Sequence, residues 1–535
     1  MRTLLNPRAG TGLSLFACAA ALLGGCAVGP EYKRPTLPVS AGYAATTLPT
    51  ATTSEATVTG GEAQRFEVGG TVRADWWTLL QSPALNRYIE QALAANPNLE
   101  AAQAALRSAQ ALVDAQRGFY YPSVQASYSP TRTKIAANRG GNSPGIQGDG
   151  SVISTGQGTP TSQGGSAPFN SPVIFNFHTA QLNVGYNPDV FGGNLRQVQS
   201  LQAQADVQRF QLEAARITLA TNAIAAAVQD AALRQQVATS QAVVDAAQTS
   251  LDLIQRQLKF GYASRLDVAN QATTLAQARA ALPPLRKQFE QNRDLLRALA
   301  GAPQDSEVQA FDLAELKLPQ DLPVSLPSQL LEQRPDVRAA EAQLQSASAQ
   351  VGVARAARLP QFAMSADIGG AASGLSQMFW NSGRFFDLAL SITQPIFDAG
   401  TLKLRERAAQ ETLQQASAQY RATVVGSFQN VADTLHAIQA DAQALQAAAE
   451  VVETTNSALA LTRRQHANGY LDRLALINAE QSERQAQLAL VQARALRLLD
   501  TAALFQALGG GWWNRPGGVE PGSSAQGAQS GAVQP

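Results

Sequence analysis

The chain has 535 residues, 45% of them hydrophobic but only 6% aromatic, and a formal net charge of +1. Ala and Gln dominate its second and last thirds, a composition closer to long packed helix than to a compact globule. No Lys/Arg block is dense enough to grip nucleic acid, and with Cys18 and Cys26 as the only cysteines, neither a disulfide framework nor a CxxC metal or redox site is available.

In chain order, Arg2 and Arg8 give a basic start, and Leu13 to Leu23 an apolar stretch of signal-peptide length, too short to span a bilayer. It ends in Leu23-Gly24-Gly25-Cys26, which resembles the lipobox of bacterial lipoproteins, where the thiol takes a diacylglycerol and the freed amine is acylated. An ordinary signal peptide containing a cysteine is the alternative; the order of charge, apolar core and small residues favours the lipobox. Several acyl chains anchor stably where one is marginal. Ala27 replaces the aspartate that commonly retains lipoproteins at the inner membrane, so the resemblance implies the outer membrane. Beyond this point no apolar run reaches the roughly 18 residues of a membrane-spanning helix.

The chain then repeats itself. Asn96-Pro97-Asn98-Leu99 aligns with Arg334-Pro335-Asp336-Val337 at an offset of 238, and Pro122 meets Pro360 at the same offset. Further on, Pro188 meets Pro395 at 207, and Gly261-Tyr262, Arg265, Leu266 and Asn270 meet Gly469-Tyr470, Arg473, Leu474 and Asn478 at 208. The first copy therefore holds about 31 extra residues between its prolines. They fall in the Gly/Ser/Thr/Gln/Asn-rich stretch from Ala137 to Pro168, a surface-loop composition.

Between the paired prolines each copy shows two segments of period two. Val124, Ala126 and Tyr128 share one face, as do Ala180, Leu182, Val184 and Tyr186; Phe362, Met364, Ala366 and Ile368; and Phe386, Leu388, Leu390 and Ile392. Hairpins packed on a soluble core would give the same pattern. Membrane-strand length (~9–11 residues) and aromatics near the ends (Tyr120, Tyr121, Phe379, Trp380) favour a membrane barrel. Four strands cannot close alone and an open edge cannot survive in lipid, so such a barrel must be shared between chains.

From Gly193 to Gly261 and from Gly400 to Gly469 the chain lacks proline and predicts helices of ~100 Å. Val198, Ala205, Leu212 and Leu219 repeat every seven, and Phe210, Ile217 and Ile224 do so on a second face; Val424, Val431 and Ile438 form a seam in the other copy. Two seams on one helix imply neighbours on both sides, as in a ring of helices, although a solid bundle is compatible with the same pattern. Ser264-Arg265-Leu266-Asp267 reads as a capping box opening a return helix, with Asp472 as the N-cap of its counterpart.

Cys26-Ala27-Val28-Gly29-Pro30-Glu31-Tyr32 with Pro35, Asp75-Trp76-Trp77, then Leu85, Ala92-Leu93 and Asn96, and the two Gly-Tyr turns together resemble the outer-membrane factor family. The likeness is to TolC-like proteins of the NodT-type lipoprotein branch, and runs from Cys26 to about Leu508. It implies an α+β membrane protein: a homotrimer whose β-barrel, four strands per chain, continues into a long periplasmic coiled-coil barrel. It further implies docking of the tips (Gly261, Tyr262, Arg265, Gly469, Tyr470, Arg473) on a periplasmic adaptor joined to an inner-membrane RND pump. Outer-membrane lipid is the remaining partner, and the acyl groups on Cys26 the only covalent addition.

By the same resemblance the periplasmic gate lies on the second return helix, at Leu474 and Asn478; Ala475 stands where relatives carry an aspartate, with Asp267 as its first-copy equivalent. An apolar and amide constriction is expected rather than an anionic ring. The implied organisation is a signal peptide (1–25), a lipidated segment and linker (26–75), a first repeat (76–310, inserted loop 137–168), a second repeat (311–508) and a disordered tail (509–535). The linker from Ala41 to Val72 is expected to be poorly ordered or to lie along the surface.

Catalysis is not expected. His178, His436 and His466 are scattered, the latter two reading as solvated helix positions, and no HExxH, P-loop, GxSxG or dinucleotide fingerprint occurs. The expected function is passive conduction of small molecules out of an efflux pump. The alternatives are the duct of a type I, ABC-driven secretion system and a lipid-anchored periplasmic scaffold.

Overall fold

The computed structural model describes residues 27–35, 42–43, 49–135, 145–146, 152–153 and 173–515. The chain divides into two compact units. One comprises the residues before Arg34 with Gln110–Ala203 and Gln345–Gln415; the other comprises Arg34–Ala109, Gln204–Leu344 and the residues from Ala416 onward.

The first unit is built on one antiparallel sheet of four strands, β2 (Ser123–Ile135), β5 (Val173–Tyr186), β7 (Gln361–Ala372) and β8 (Arg384–Thr393), in that order. At 10 to 14 residues they are as long as or longer than expected. Between β2 and β5, Gly145–Ile146 (β3) and Val152–Ile153 (β4) form a short ladder in the insertion, most of which lies outside the described residues. Aspartates turn the chain from strand into helix. Asp189 accepts the N–H groups of Asn194 and Leu195 at 3.0 and 2.7 Å, and Asp398 those of Gly400 and Leu402 at 2.9 and 2.8 Å. Each carboxylate meets the positive end of a helix and satisfies donors that have no intrahelical partner.

Those helices are α3 (Gly193–Lys259) and α7 (Thr401–Ala467), 67 residues each, followed by return helices α4 (Arg265–Leu299) and α8 (Arg473–Ala507), 35 residues each. Shorter helices precede the strands: α1 (Pro83–Ala95), α2 (Pro97–Arg117), α5 (Pro327–Gln333) and α6 (Pro335–Ala356).

In the second unit the two seams of α3 meet different neighbours. Leu212 and Leu219 pack with Leu99, Ala102 and Leu106 of α2. Phe210 and Ile217 pack with Ala339 and Ala342 of α6 and with Trp512. The main core gathers Trp76, Leu85, Ile89, Ile224, Leu296, Leu322, Leu330, Val431, Leu435, Ile438 and Phe505. Trp76, 1% exposed, stacks on Phe505 with centroids 5.0 Å apart and planes at 18°.

The described parts of two segments expected to be poorly ordered or to lie along the surface, 49–72 and 509–515, are built into this unit. In the linker, β1 (Arg65–Val68) pairs in parallel with β6 (Asp321–Val324). Arg497, 1% exposed, donates to the carbonyls of Gly60 and Glu62 and to the Thr52 hydroxyl; Gln64 donates to Pro319 O and to Thr501. A buried guanidinium needs acceptors, and the linker supplies three of them to its two terminal nitrogens. The expected tail begins with structure too. Gly509, Gly510 and Gly511 all take positive φ, and the turn buries Trp512, whose indole N–H donates to Gln333 O at 2.7 Å. Asn514 donates to Val72 O and Arg515 pairs with Glu213. The remainder of the tail, from residue 516, lies outside the described residues.

Candidate functional site: the apolar sheet face and the two Gly-Tyr turns

The register of the sheet aligns its apolar positions. Phe362 faces Ile392; Met364 sits between Tyr186 and Leu390; Ala366 lies between Val184 and Leu388, with Val124 beyond; Ile368 lies between Leu182 and Phe386, with Ala126 beyond. These rows form one continuous face, and it is exposed: Val124 66%, Leu388 75%, Phe386 83%. The opposite face carries Gln125, Asn183, Asp367 and Asp387 in a single row, with the Asn183 amide donating to Asp367. Among the residues whose side chains are described, Phe177 and Phe385 are large apolar exceptions on it. A water-soluble sheet hides its apolar face; this one presents it, as a strand face turned to lipid does. Exposed Tyr121, Ile396 and Phe397 mark the sheet end next to the helices, and exposed Phe379 and Trp380 the other; Tyr120, also expected there, is half-buried.

At the helix-side end residues 27–29 are clamped. Val28 N–H donates to Phe191 O at 3.1 Å, and Arg196 donates to Val28 O at 3.2 Å. A β-carbon on Gly352 would lie 2.8 Å from the Arg196 side chain and 3.1 Å from Val28 O; one on Gly192 would lie 2.8 Å from Ala27. Sequence reasoning did not assign these contacts, although the doublet Gly192-Gly193 and the small-residue run Ala27-Val28-Gly29 were signals of close backbone approach. Cys26 itself lies outside the described residues.

The two Gly-Tyr turns share one geometry. Gly261 donates to Leu258 O at 3.0 Å and Tyr262 to Gln257 O at 2.9 Å; Gly469 donates to His466 O at 3.0 Å and Tyr470 to Gln465 O at 2.9 Å. Each is a Schellman motif, which needs a left-handed residue past the helix end. Gly261 and Gly469 supply it with φ of 77° and 80°. Tyr262 and Tyr470 are then 84% and 80% exposed at the tips of the turns. Arg265 and Arg473, also exposed, open the return helices. His466 is half-buried rather than solvated, its Nδ1–H donating to Leu471 O at 2.9 Å across the turn.

The turns differ in their caps. Ser264 and Asp267 form the expected capping box: Asp267 accepts the Ser264 N–H at 2.8 Å and hydroxyl at 2.7 Å. Those bonds, the hydroxyl first, hold its carboxyl below the ordinary aspartate range. In the other turn Asp472 accepts the Ala475 N–H at 2.8 Å. Leu474 and Ala475 are half-buried and Asn478 is exposed; Leu474 and Asn478, one turn apart on α8, share a face. Asp267 and Ala475 sit in separate turns, each occupied with its own cap.

A carboxyl pair in the second unit was not anticipated. Asp441 of α7 meets Asp500 of α8; burial first, then the hydrogen bond and like charge of Asp500, push Asp441 up to about 7 against the opposing pull of Arg497.

The sequence model of outer membrane efflux proteins matches residues 88–302 and 326–510. The chain belongs to the outer membrane efflux protein family. This efflux protein is 28% identical to the pyoverdine export outer membrane protein OpmQ of Pseudomonas putida, over 82% of this chain and 88% of that protein. To the toluene efflux pump outer membrane protein TtgC of the same species it is also 28% identical, over 94% and 96%. Among solved structures it resembles the Campylobacter jejuni CmeC outer membrane channel at a TM-score of 0.76 and 17% identity, over 94% of this chain and 98% of that one. The family is one of outer-membrane efflux channels, not of enzymes, and the efflux protein is an outer-membrane channel component.

Proposed function

We propose that three copies of the chain form the exit duct of a tripartite pump and conduct small molecules passively from a periplasmic adaptor and an inner-membrane RND transporter to the exterior. The exposed apolar face of a four-stranded sheet carries this reading. From Ile392 to Arg384 that face extends ~27 Å along the strand at ~3.4 Å per residue, or ~20 Å after the tilt of outer-membrane strands. This is close to the ~25 Å apolar band of such barrels. The edge strands β2 and β8 have no further partner among the described residues, and lipid cannot satisfy their free backbone groups. Pairing β8 of one copy with β2 of the next gives a closed barrel with Asp367 and Asp387 lining the lumen.

The match of the family model to two stretches of the chain, and the equal lengths of α3 and α7 and of α4 and α8, support an internal duplication. Acylation of Cys26 is supported by the clamp on residues 27–29, which fixes the start of the mature chain beside the sheet's helix-side end. Adaptor docking falls to the exposed Gly-Tyr turns, and narrowing of the duct to Leu474 and Asn478 brought together from three chains. Pyoverdine and toluene, for which two relatives are named, are small molecules, which favours small-molecule efflux over polypeptide export.

The test is purification of the full chain from outer membranes. Detergent-resistant trimers with mixed α and β circular dichroism and stepwise conductance in planar bilayers are expected. A soluble, non-conducting species released by removing the lipid anchor would support the scaffold reading instead.

A further inference from the structure

The outward apolar face does not end uniformly. At the strand ends away from the helices, the row Tyr128–Ala180–Gly370–Arg384 brings Arg384 onto this face, and further along β2 the same face presents Arg132 and Lys134. All three cations are exposed, and among the described residues none lies in salt-bridge distance of a carboxylate. The sheet's own carboxylates, Asp367 and Asp387, alternate to the other face. The Arg384 Nε–H donates to Phe379 O at 3.2 Å, which fixes its guanidinium at the lip of a cavity of about 840 Å³.

That cavity exists because Ala126, Ala180 and Gly370 are small where their row neighbours are large. Its apolar walls are Tyr128, Leu182, Ile368, Met378, Phe379 and Phe386. Tyr128 is braced at the rim by stacking on His178, with its hydroxyl 2.9 Å from Nδ1.

We propose that this groove holds an acyl chain of an outer-leaflet glycolipid whose phosphate is bound by Arg384. The inference rests on the reading of the sheet as membrane-embedded. An apolar groove continuous with a lipid-facing surface selects a hydrocarbon chain. The Arg384 guanidinium at its lip, with no carboxylate in salt-bridge distance among the described residues, selects an anion at headgroup depth, since long basic side chains reach outward from the apolar band. Guanidinium matches phosphate in geometry as well as charge. The far strand ends face outward when the helices lie in the periplasm, so the phosphate belongs to the outer leaflet.

Native mass spectrometry of the full-chain protein tests this with bis-phosphorylated lipid A, its dephosphorylated form, phosphatidylcholine and inorganic phosphate as separate probes. Phosphorylated lipid A should be retained roughly tenfold better than the dephosphorylated form. The variant Arg384→Gln should abolish that preference. Ala126→Trp, which fills the groove and keeps the cations, should lower retention of both glycolipids. Equal retention of the two forms by the unaltered protein overturns the proposal. So does displacement by inorganic phosphate without any effect of Ala126→Trp, which would mean an anion site without an acyl chain. Conducting trimers lacking the preference sink this inference alone, whereas absence of trimers and conductance sinks the channel reading beneath it.

Discussion

Replacing Leu388 with arginine and, separately, its neighbour Ala389 with arginine puts the same charge on opposite faces of β8. Leu388 belongs to the row Val124–Val184–Ala366–Leu388, the middle of the apolar rows between Phe362–Ile392 and the Arg384 row, and is 75% exposed. On the proposed membrane placement of the sheet it sits near the bilayer midplane, where an arginine costs ~2–4 kcal/mol. With one per protomer the trimer loses roughly 6–12 kcal/mol, comparable to the whole stability of an ordinary domain. Ala389 pairs with Ser365 and shares its face with Asp387 and Ser391, so an arginine there meets water and a carboxylate. The expected cost is within ~1 kcal/mol. The assay is the yield of heat-modifiable trimer in outer-membrane fractions, followed by conductance of what assembles. Leu388→Arg should abolish trimer, while Ala389→Arg should assemble with altered ion selectivity. Equal loss in both variants, or normal assembly of Leu388→Arg, would refute the assignment of the two faces.

Alanine at both Leu474 and Asn478 should raise single-channel conductance in a planar bilayer, and an unchanged value places the constriction elsewhere. Because burial and Asp500 raise the pKa of Asp441 above its unfolded value, ionising it in the folded state costs stability. The penalty is absent below about pH 4, grows as pH rises toward about 7, and is complete above that. Melting temperature should therefore fall across this window, and Asp441→Asn should flatten the profile; an identical slope in the variant would exclude the pair as its source. Gly352→Val should unseat residues 27–29, because its side chain would collide with Arg196 and Val28 O. Limited trypsinolysis after Lys33 reads this out, and unchanged cleavage would show that the clamp does not depend on the close approach.

Much of this protein was legible because its determinants are local or periodic. Alternation along the strands fixed which residues share a face, and the β-sheet register preserved it, since the pairs Phe362–Ile392, Met364–Leu390, Ala366–Leu388 and Ile368–Phe386 join apolar with apolar. Gly261 and Gly469 marked the helix ends because only glycine takes the left-handed conformation there without strain, and Ser264 with Asp267 marked the start of the return helix by spacing alone. What the sequence could not decide were contacts between residues hundreds of positions apart. Composition made the linker before Val72 and the residues after Gly509 look unstructured. The order of residues 49–72 and 509–515 comes from Arg497, Gln333 and Glu213, whose buried or half-buried polar groups find partners only once the helices pack. The cationic lip needed the cross-strand rows that align Arg384 with Tyr128, and the Asp441–Asp500 pair needed α7 and α8 side by side. Periodicity specifies which side of an element is apolar; only the folded chain decides which distant side chains meet there.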